Sequence, residues 1–369
     1  MVPFTKTPVF ALLVLLFLVV ISAVWYTLSG DNTSRYSATE TPYKVLVAEN
    51  PAFSAADARY RSGDYEDALA IYAEALESVT DPVQEGQVRY KIAIAKEVQG
   101  DYRAAIQDMK FIAADPDYSR FVKAYAVQRL GIMYNTYGYT HPEIVEETFK
   151  DEPYASLREG DDLALSYRRI FEYASSFFPL GVAESRIADW YANEMLRVRE
   201  SASQEEISAL VAQVRSHLQK AENDIERIRN DPNASGDVPA ILVRKGEILY
   251  KLSQVGEATL DEAEGSFRRG LQLAVLSGPE PGRDGYPRFH FASFLERAYG
   301  TERAADIRTI LGPLYTESSN ADTPVMDFLR SQRNANTWMN VSLRGMAEID
   351  PEFRRLLISL GWTEADLAS

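Results

Sequence analysis

Three histidines, His141, His217 and His290, are the first residues to weigh for chemistry, because imidazole titrates near neutral pH and binds metal ions. They lie far apart in sequence and lack the close spacing of a ligand set, so each reads as a surface or packing residue. The carboxylate pairs Glu146-Glu147, Asp161-Asp162 and Glu205-Glu206 are adjacent, and neighbours on a helix point apart. They read as solvated faces or helix starts, where negative charge suits the helix dipole. A glycosidase would need two opposed carboxylates across one cleft, and no stretch reads as the separate catalytic domain that carries them. The chain has no cysteine, which excludes disulfides, thiolate nucleophiles, zinc–sulfur and iron–sulfur sites, and a cysteine-acylated anchor. Neither a Gly-x-Ser-x-Gly elbow nor a phosphate-binding glycine loop occurs. The expectation is a protein that is not an enzyme and holds no cofactor and no metal.

Charge and hydropathy narrow the partners. A formal net charge of −15 over 369 residues argues against nucleic acid, whose phosphates require clustered Lys and Arg, and against an anionic membrane surface. Yet Val9 to Leu28, "VFALLVLLFLVVISAVWYTL", is an uncharged run long enough to cross a bilayer of about 30 Å. Trp25 and Tyr26 stand at its far end, where amphipathic rings favour the interface. Residues 1–7 are therefore expected in the cytoplasm, 8–28 as a transmembrane helix, and 29–49 as a linker. The competing reading is a cleaved signal peptide, but such apolar cores run only about 7–15 residues, so length favours the anchor.

The helices that must position any site announce themselves by repetition. "SGDYEDALAIYAEAL" at 62–76 returns as "QGDYRAAIQDMKFIA" at 99–113, with Gly63 and Gly100 as helix-ending glycines. Asp64 and Asp101 are expected as N-caps of the helices that follow. Ala68 and Ala105 should let two helices approach, with Tyr72 and Met109 filling the space one turn on. "AVQRLGIMYNTYG" then carries Leu130-Gly131, Tyr134 and a third turn glycine, Gly138. This pattern resembles the tetratricopeptide repeat, a helix–turn–helix unit of about 34 residues. The resemblance is good over 50–138, with longer loops, and fragmentary beyond.

An irregular insertion is expected at 139–160, where Pro142 and Pro153 act as breakers, and degenerate repeats at 161–312. The stripe Ile207, Leu210, Val214, Leu218, Ala221, Ile225 and Ile228 marks one long amphipathic helix, read as packed in the array in preference to a coiled-coil dimer. "LDEAEGSFRRGLQLA" and "FASFLERAYGTERAADIRTIL" supply later hairpins, the last turning at Gly300. A polar loop with Pro313 and Pro324 leads to capping helices within 313–369, one starting at Asp350-Pro351. The expected fold is all-α, a superhelical solenoid of about six hairpins behind a transmembrane helix and closed by a C-terminal cap.

The resemblance implies a concave groove lined by the first helix of each hairpin. Repeat offsets put Tyr60, Tyr90, Ile94, Glu97, Tyr125, Gln128 and Asn135 on that side. Aromatic rings beside polar groups suit a peptide or protein partner, although the tyrosines can equally be packing between hairpins. The Lys and Asn cluster with which chaperone-binding members hold a terminal carboxylate is not visible. The resemblance implies a scaffold in the inner membrane of a bacterial envelope, its C-terminal region periplasmic, serving secretion or envelope assembly. The alternatives are a cell-wall hydrolase and a secreted small-molecule or glycan receptor.

Overall fold

The computed structural model describes residues 50–178, 180–228, 237–276, 285–317 and 338–368, together with Val47, Met326 and Leu329. The segment Val9–Leu28 and nearly all of the 29–49 linker lie outside these residues. Among those described, the regular secondary structure is helical throughout, without a strand, and no helix is long and apolar enough to cross a membrane. The expected all-α class holds. The chain divides into two compact units, residues 1–126 and 127–369.

In the first unit, α1 (Pro51–Ser62) and α2 (Tyr65–Leu76) form one hairpin, α3 (Pro82–Gln99) and α4 (Tyr102–Ala114) the next. Each first helix starts the same way. Asn50 and Asp81 accept hydrogen bonds from the Ala52 and Val83 amides, both at 3.0 Å, and a proline occupies the first turn. Each ends at a left-handed glycine, Gly63 with φ 85° and Gly100 with φ 96°, a backbone state that side chains with a Cβ resist. Ala68 and Ala105 are fully buried, and Tyr72 and Met109 fill the hairpin interiors. Burying side chains of that size contributes about 1.5–3 kcal/mol each. The Asp64 carboxylate differs from expectation. It makes no cap and takes a hydrogen bond from Arg59 Nη1 at 3.1 Å, whereas Asp101 does accept from the Ala104 amide at 3.3 Å.

The helix α5 (Arg120–Thr140) contains the division between the units. It corrects one expectation. Gly138 does not end the helix, which runs on to Thr140 with no left-handed residue there. Packing explains the glycine instead: a Cβ at 138 would stand 2.9 Å from the Leu163 side chain. The insertion contributes two short helices, α6 (Pro142–Thr148) and α7 (Tyr154–Leu157).

Beyond it come α8 (Leu163–Phe177), α9 (Gly181–Val198), α10 (Gln204–Ile228), α11 (Asp237–Ser253), α12 (Leu260–Leu276), α13 (Gly285–Tyr299), a 3₁₀ turn (Gly300–Arg303) and α14 (Ala304–Glu317). The closing helices are α15 (Trp338–Ile349), α16 (Pro351–Ser359) and α17 (Glu364–Ala368). A glycine beneath an aromatic ring recurs here. A Cβ at Gly131 would lie 2.5 Å from Phe171, and one at Gly246 would lie 2.7 Å from Phe267. The bare backbone of one helix thus seats a ring of the next. Phe267 also stacks on Phe294, with ring centroids 4.9 Å apart.

The amphipathic stripe of α10 buries Ile207, Val214, Leu218, Ala221 and Ile225, and the helix packs along α9. Pro313 corrects a second expectation, because α14 continues through it to Glu317. Proline removes one amide from the ladder and crowds the carbonyl four residues before it, that of Thr309. The neighbouring Ile310 carbonyl accepts a hydrogen bond from Arg288 Nη1 at 3.1 Å. At the C-terminal end Asp350 accepts from the Glu352 amide, α16 buries Phe353, Leu356 and Leu357, and the Trp362 indole N–H donates to the Leu329 carbonyl at 3.1 Å.

Candidate binding cleft

The seven residues expected in a groove have different fates. Tyr60 packs edge-on against Tyr65 at 5.5 Å between ring centroids, a contact within its own hairpin. Tyr90 and Tyr125, on α3 and α5, meet edge to face at 6.0 Å, and Tyr125 also meets Phe121 at 4.7 Å. All three tyrosines are half-buried, as is Ile94, while Glu97 is buried. Gln128 and Asn135 belong to the second unit. Gln128 is buried with its carbonyl oxygen lacking a hydrogen-bond partner, and Asn135 is half-buried. The structure brings Tyr90 and Tyr125 together and leaves Tyr60 with a neighbour of its own.

The polar cleft of the second unit is built from other residues. Helices α9, α11 and α13 each turn one face toward a cavity of about 360 Å³. Along α9 that face carries Asp189 and Asn193; along α11, Arg244, Glu247 and Lys251; along α13, Tyr286, His290 and Arg297. Steps of three, four and seven keep each set on one side of its helix.

Two ion pairs cross the cleft. Lys251 Nζ on α11 donates to Asp189 Oδ1 on α9 at 2.6 Å. Arg297 Nη2 on α13 reaches both oxygens of Glu247 on α11, at 2.9 and 2.8 Å. His290 Nδ1 lies 3.3 Å from Glu247 Oε1, and its ring leans on Tyr286 at 4.1 Å between centroids. Arg297 further stacks over the Tyr250 ring at 4.9 Å. Charged groups this enclosed are retained only when paired.

The electrostatics follow from those contacts. Burial opposes ionisation of Asp189, yet Lys251, Arg244 and Arg186 outweigh it and hold the carboxyl below its ordinary range. Burial likewise opposes the Glu247 charge, and His290 and Arg297 reverse the balance. Tyr286 is 36 % exposed, yet desolvation of its phenol at the cavity wall pushes it up, with Arg244 and Arg186 opposing, so it stays neutral at physiological pH. Burial works against the Arg244 charge, and at physiological pH the Asp189 and Glu247 carboxylates favour it.

The remaining histidines are also paired locally. His217 Nδ1 sits 2.6 Å from Glu184 Oε2 with its ring stacked on Tyr191, and His141 Nδ1 is 2.9 Å from the Thr140 hydroxyl. Among the described residues no group of three or more histidine and carboxylate side chains could hold a metal ion.

A sequence signal for the cleft existed. Tyr90 and Glu97 stand ten and three residues before the turn glycine Gly100, and the same offsets from Gly300 give His290 and Arg297. Asp189 and Glu247 follow directly on the small residues Ala188 and Gly246, as Ile94 follows Ala93. The groove expectation was drawn from the clearest repeats alone, and the degenerate ones carry the charged cleft. The sequence matches no family model, and no curated protein is significantly similar to it.

Proposed function

We propose that the chain is a scaffold of tetratricopeptide-like hairpins that binds a protein or peptide partner along its first helices. The observation that carries this reading is the polar face of α9, α11 and α13. Three consecutive first helices turn charged side chains toward one cavity. Such a surface, with aromatic flanks at Tyr250 and Tyr286, suits an extended or helical segment of another protein. The half-buried Tyr90 and Tyr125 pair offers a second aromatic patch of the same kind in the first unit. The uncharged Val9–Leu28 run supports an N-terminal anchor, with the helices held outside the cytoplasm in a bacterial envelope.

Site-specific photocrosslinking in intact cells tests the reading. A crosslinker at Asn193 or Gln254, in the cleft, should capture one and the same envelope protein. A crosslinker at Glu205, on the exposed start of α10, should not. Equal capture from both faces, or capture of cytosolic proteins only, would sink the groove or the orientation respectively.

A further inference from the structure

One carboxyl of the second unit is enclosed without a cation of its own. Glu296, near the end of α13, reaches across to α15. Its Oε2 accepts a hydrogen bond from the Ser342 hydroxyl at 2.9 Å, and it forms no ion pair with a described residue. Ser342 in turn lies 2.6 Å from the Ser293 hydroxyl, and both serines are fully buried. The carboxyl rests on bare backbone, since a Cβ at Gly345 would stand 2.7 Å from its carboxyl carbon. The arginine beside it in sequence, Arg297, spans both oxygens of Glu247 instead. Two hydroxyls and one carboxyl thus join α13 to α15 amid apolar packing, with Phe294 and Leu295 on one helix and Leu343, Met346 and Ala347 on the other in one core.

We propose that the contact of α13 with α15 is a proton-operated latch: neutral Glu296 holds the closing helices on the array, and its ionisation loosens them. The latch requires no partner and is independent of the reading of the cleft. A charged carboxylate here loses water and gains one hydroxyl donor, whereas the neutral acid costs far less to enclose. Burial outweighs the Ser342 hydrogen bond and the pull of Arg297, and holds the carboxyl above its ordinary range. Glu348 on α15 repels the charge and adds to the same effect, and the Tyr250 phenol on α11 also senses it. Helices α12 and α14 and the 3₁₀ turn, which also pack on α13, bring no charged group to it among the described residues. The neutral form therefore contributes stability that is complete below the unfolded carboxyl range, about pH 4, and is lost as pH rises through the folded value. Asp189 and Glu247 respond in the opposite direction. Loosening α15 uncovers the apolar end of the array, which a closing helix serves to cover.

Hydrogen–deuterium exchange of the full-length chain in detergent micelles tests this, with protection at each pH corrected for the intrinsic amide exchange rate. Between about pH 5 and pH 8 the protection of α15 should fall by at least about threefold in the parent protein, while that of α4 in the first unit stays level. Glu296→Gln, whose amide is neutral at every pH and nearly the same shape, should keep at pH 8 the protection that the parent shows at pH 5. Glu348→Gln alters an exposed side chain and removes the repelling charge, so its fall should be smaller than the parent's. Level protection of α15 in the parent, an equal fall in α4, or a fall that persists in Glu296→Gln would overturn the latch. Should Glu296→Gln fail to fold, as its melting curve would show, Glu348→Gln carries the test, and an undiminished fall there would overturn the proposal.

Discussion

The first helices of the two units place residues at the same offsets and use them differently. In the first unit the residue ten before the turn glycine is Tyr90, and it spends its ring on Tyr125. In the second the equivalent residue is His290, and with Arg297 it converges on Glu247. An offset from a helix end sets only the direction in which a side chain leaves its helix. What it meets there is the choice of the next helix. Rings that meet rings become packing, and charges that meet charges across a cavity become a site.

The largest expected effect lies in the second unit. Arg297→Leu removes the cation that spans both oxygens of a buried carboxylate, and should cost about 3–5 kcal/mol in a chemical unfolding titration. A loss below about 1 kcal/mol would mean that Glu247 is not held by this pair. Acid should expose the same dependence. Asp189 and Glu247 have folded pKa values below their ordinary ones, so their stabilising contribution is complete above the unfolded carboxylate range, near pH 4, and is lost as pH falls through the folded values. Melting curves between pH 7 and pH 3 should show a shallower acid decline in Asp189→Asn than in the parent protein. Identical declines would remove Asp189 from the account.

Smaller effects separate packing in the two units. Gly246→Ala places a methyl 2.7 Å from the Phe267 ring, an overpacking of roughly 1–3 kcal/mol, against about 1 kcal/mol gained in helix propensity. It should lower the melting temperature, while Gly265→Ala, with open space around its Cβ, should raise it. In the first unit Ala105→Leu should cost a similar 1–3 kcal/mol, roughly, because its position is fully buried. Smaller still is the Tyr90–Tyr125 contact, whose double-mutant cycle should give a coupling of about 0.5–1.5 kcal/mol. A coupling near zero, with loss of the crosslinked partner, would turn these rings from packing into binding residues. Replacing exposed Glu74 should stay within about 0.5 kcal/mol.

Much of the fold was legible because its signals are local. Gly63 and Gly100 adopt the left-handed state that their helix-end positions imply, and Asn50, Asp81 and Asp350 cap helices opened by proline. Gly138 and Pro313 both carry a turn signal in sequence, and in both places the helix runs on: Leu163 packs over the glycine, and the proline sits inside α14. The cleft was half legible. His290 and Arg297 fall at known offsets, but nothing local says that Glu247, 43 residues before His290, will stand between them.

The sequence alone determined the helical class, the hairpin turns at Gly63 and Gly100 and the faces that each amphipathic helix would bury. Caps, glycine conformations and apolar stripes act over a few residues and require no partner to be recognised. Only the tertiary structure decided which exposed faces would confront one another. Lys251 and Asp189 are 62 residues apart, and Arg297 and Glu247 are 50 apart. The free energy of such pairs depends on distance and enclosure, and helix packing sets both.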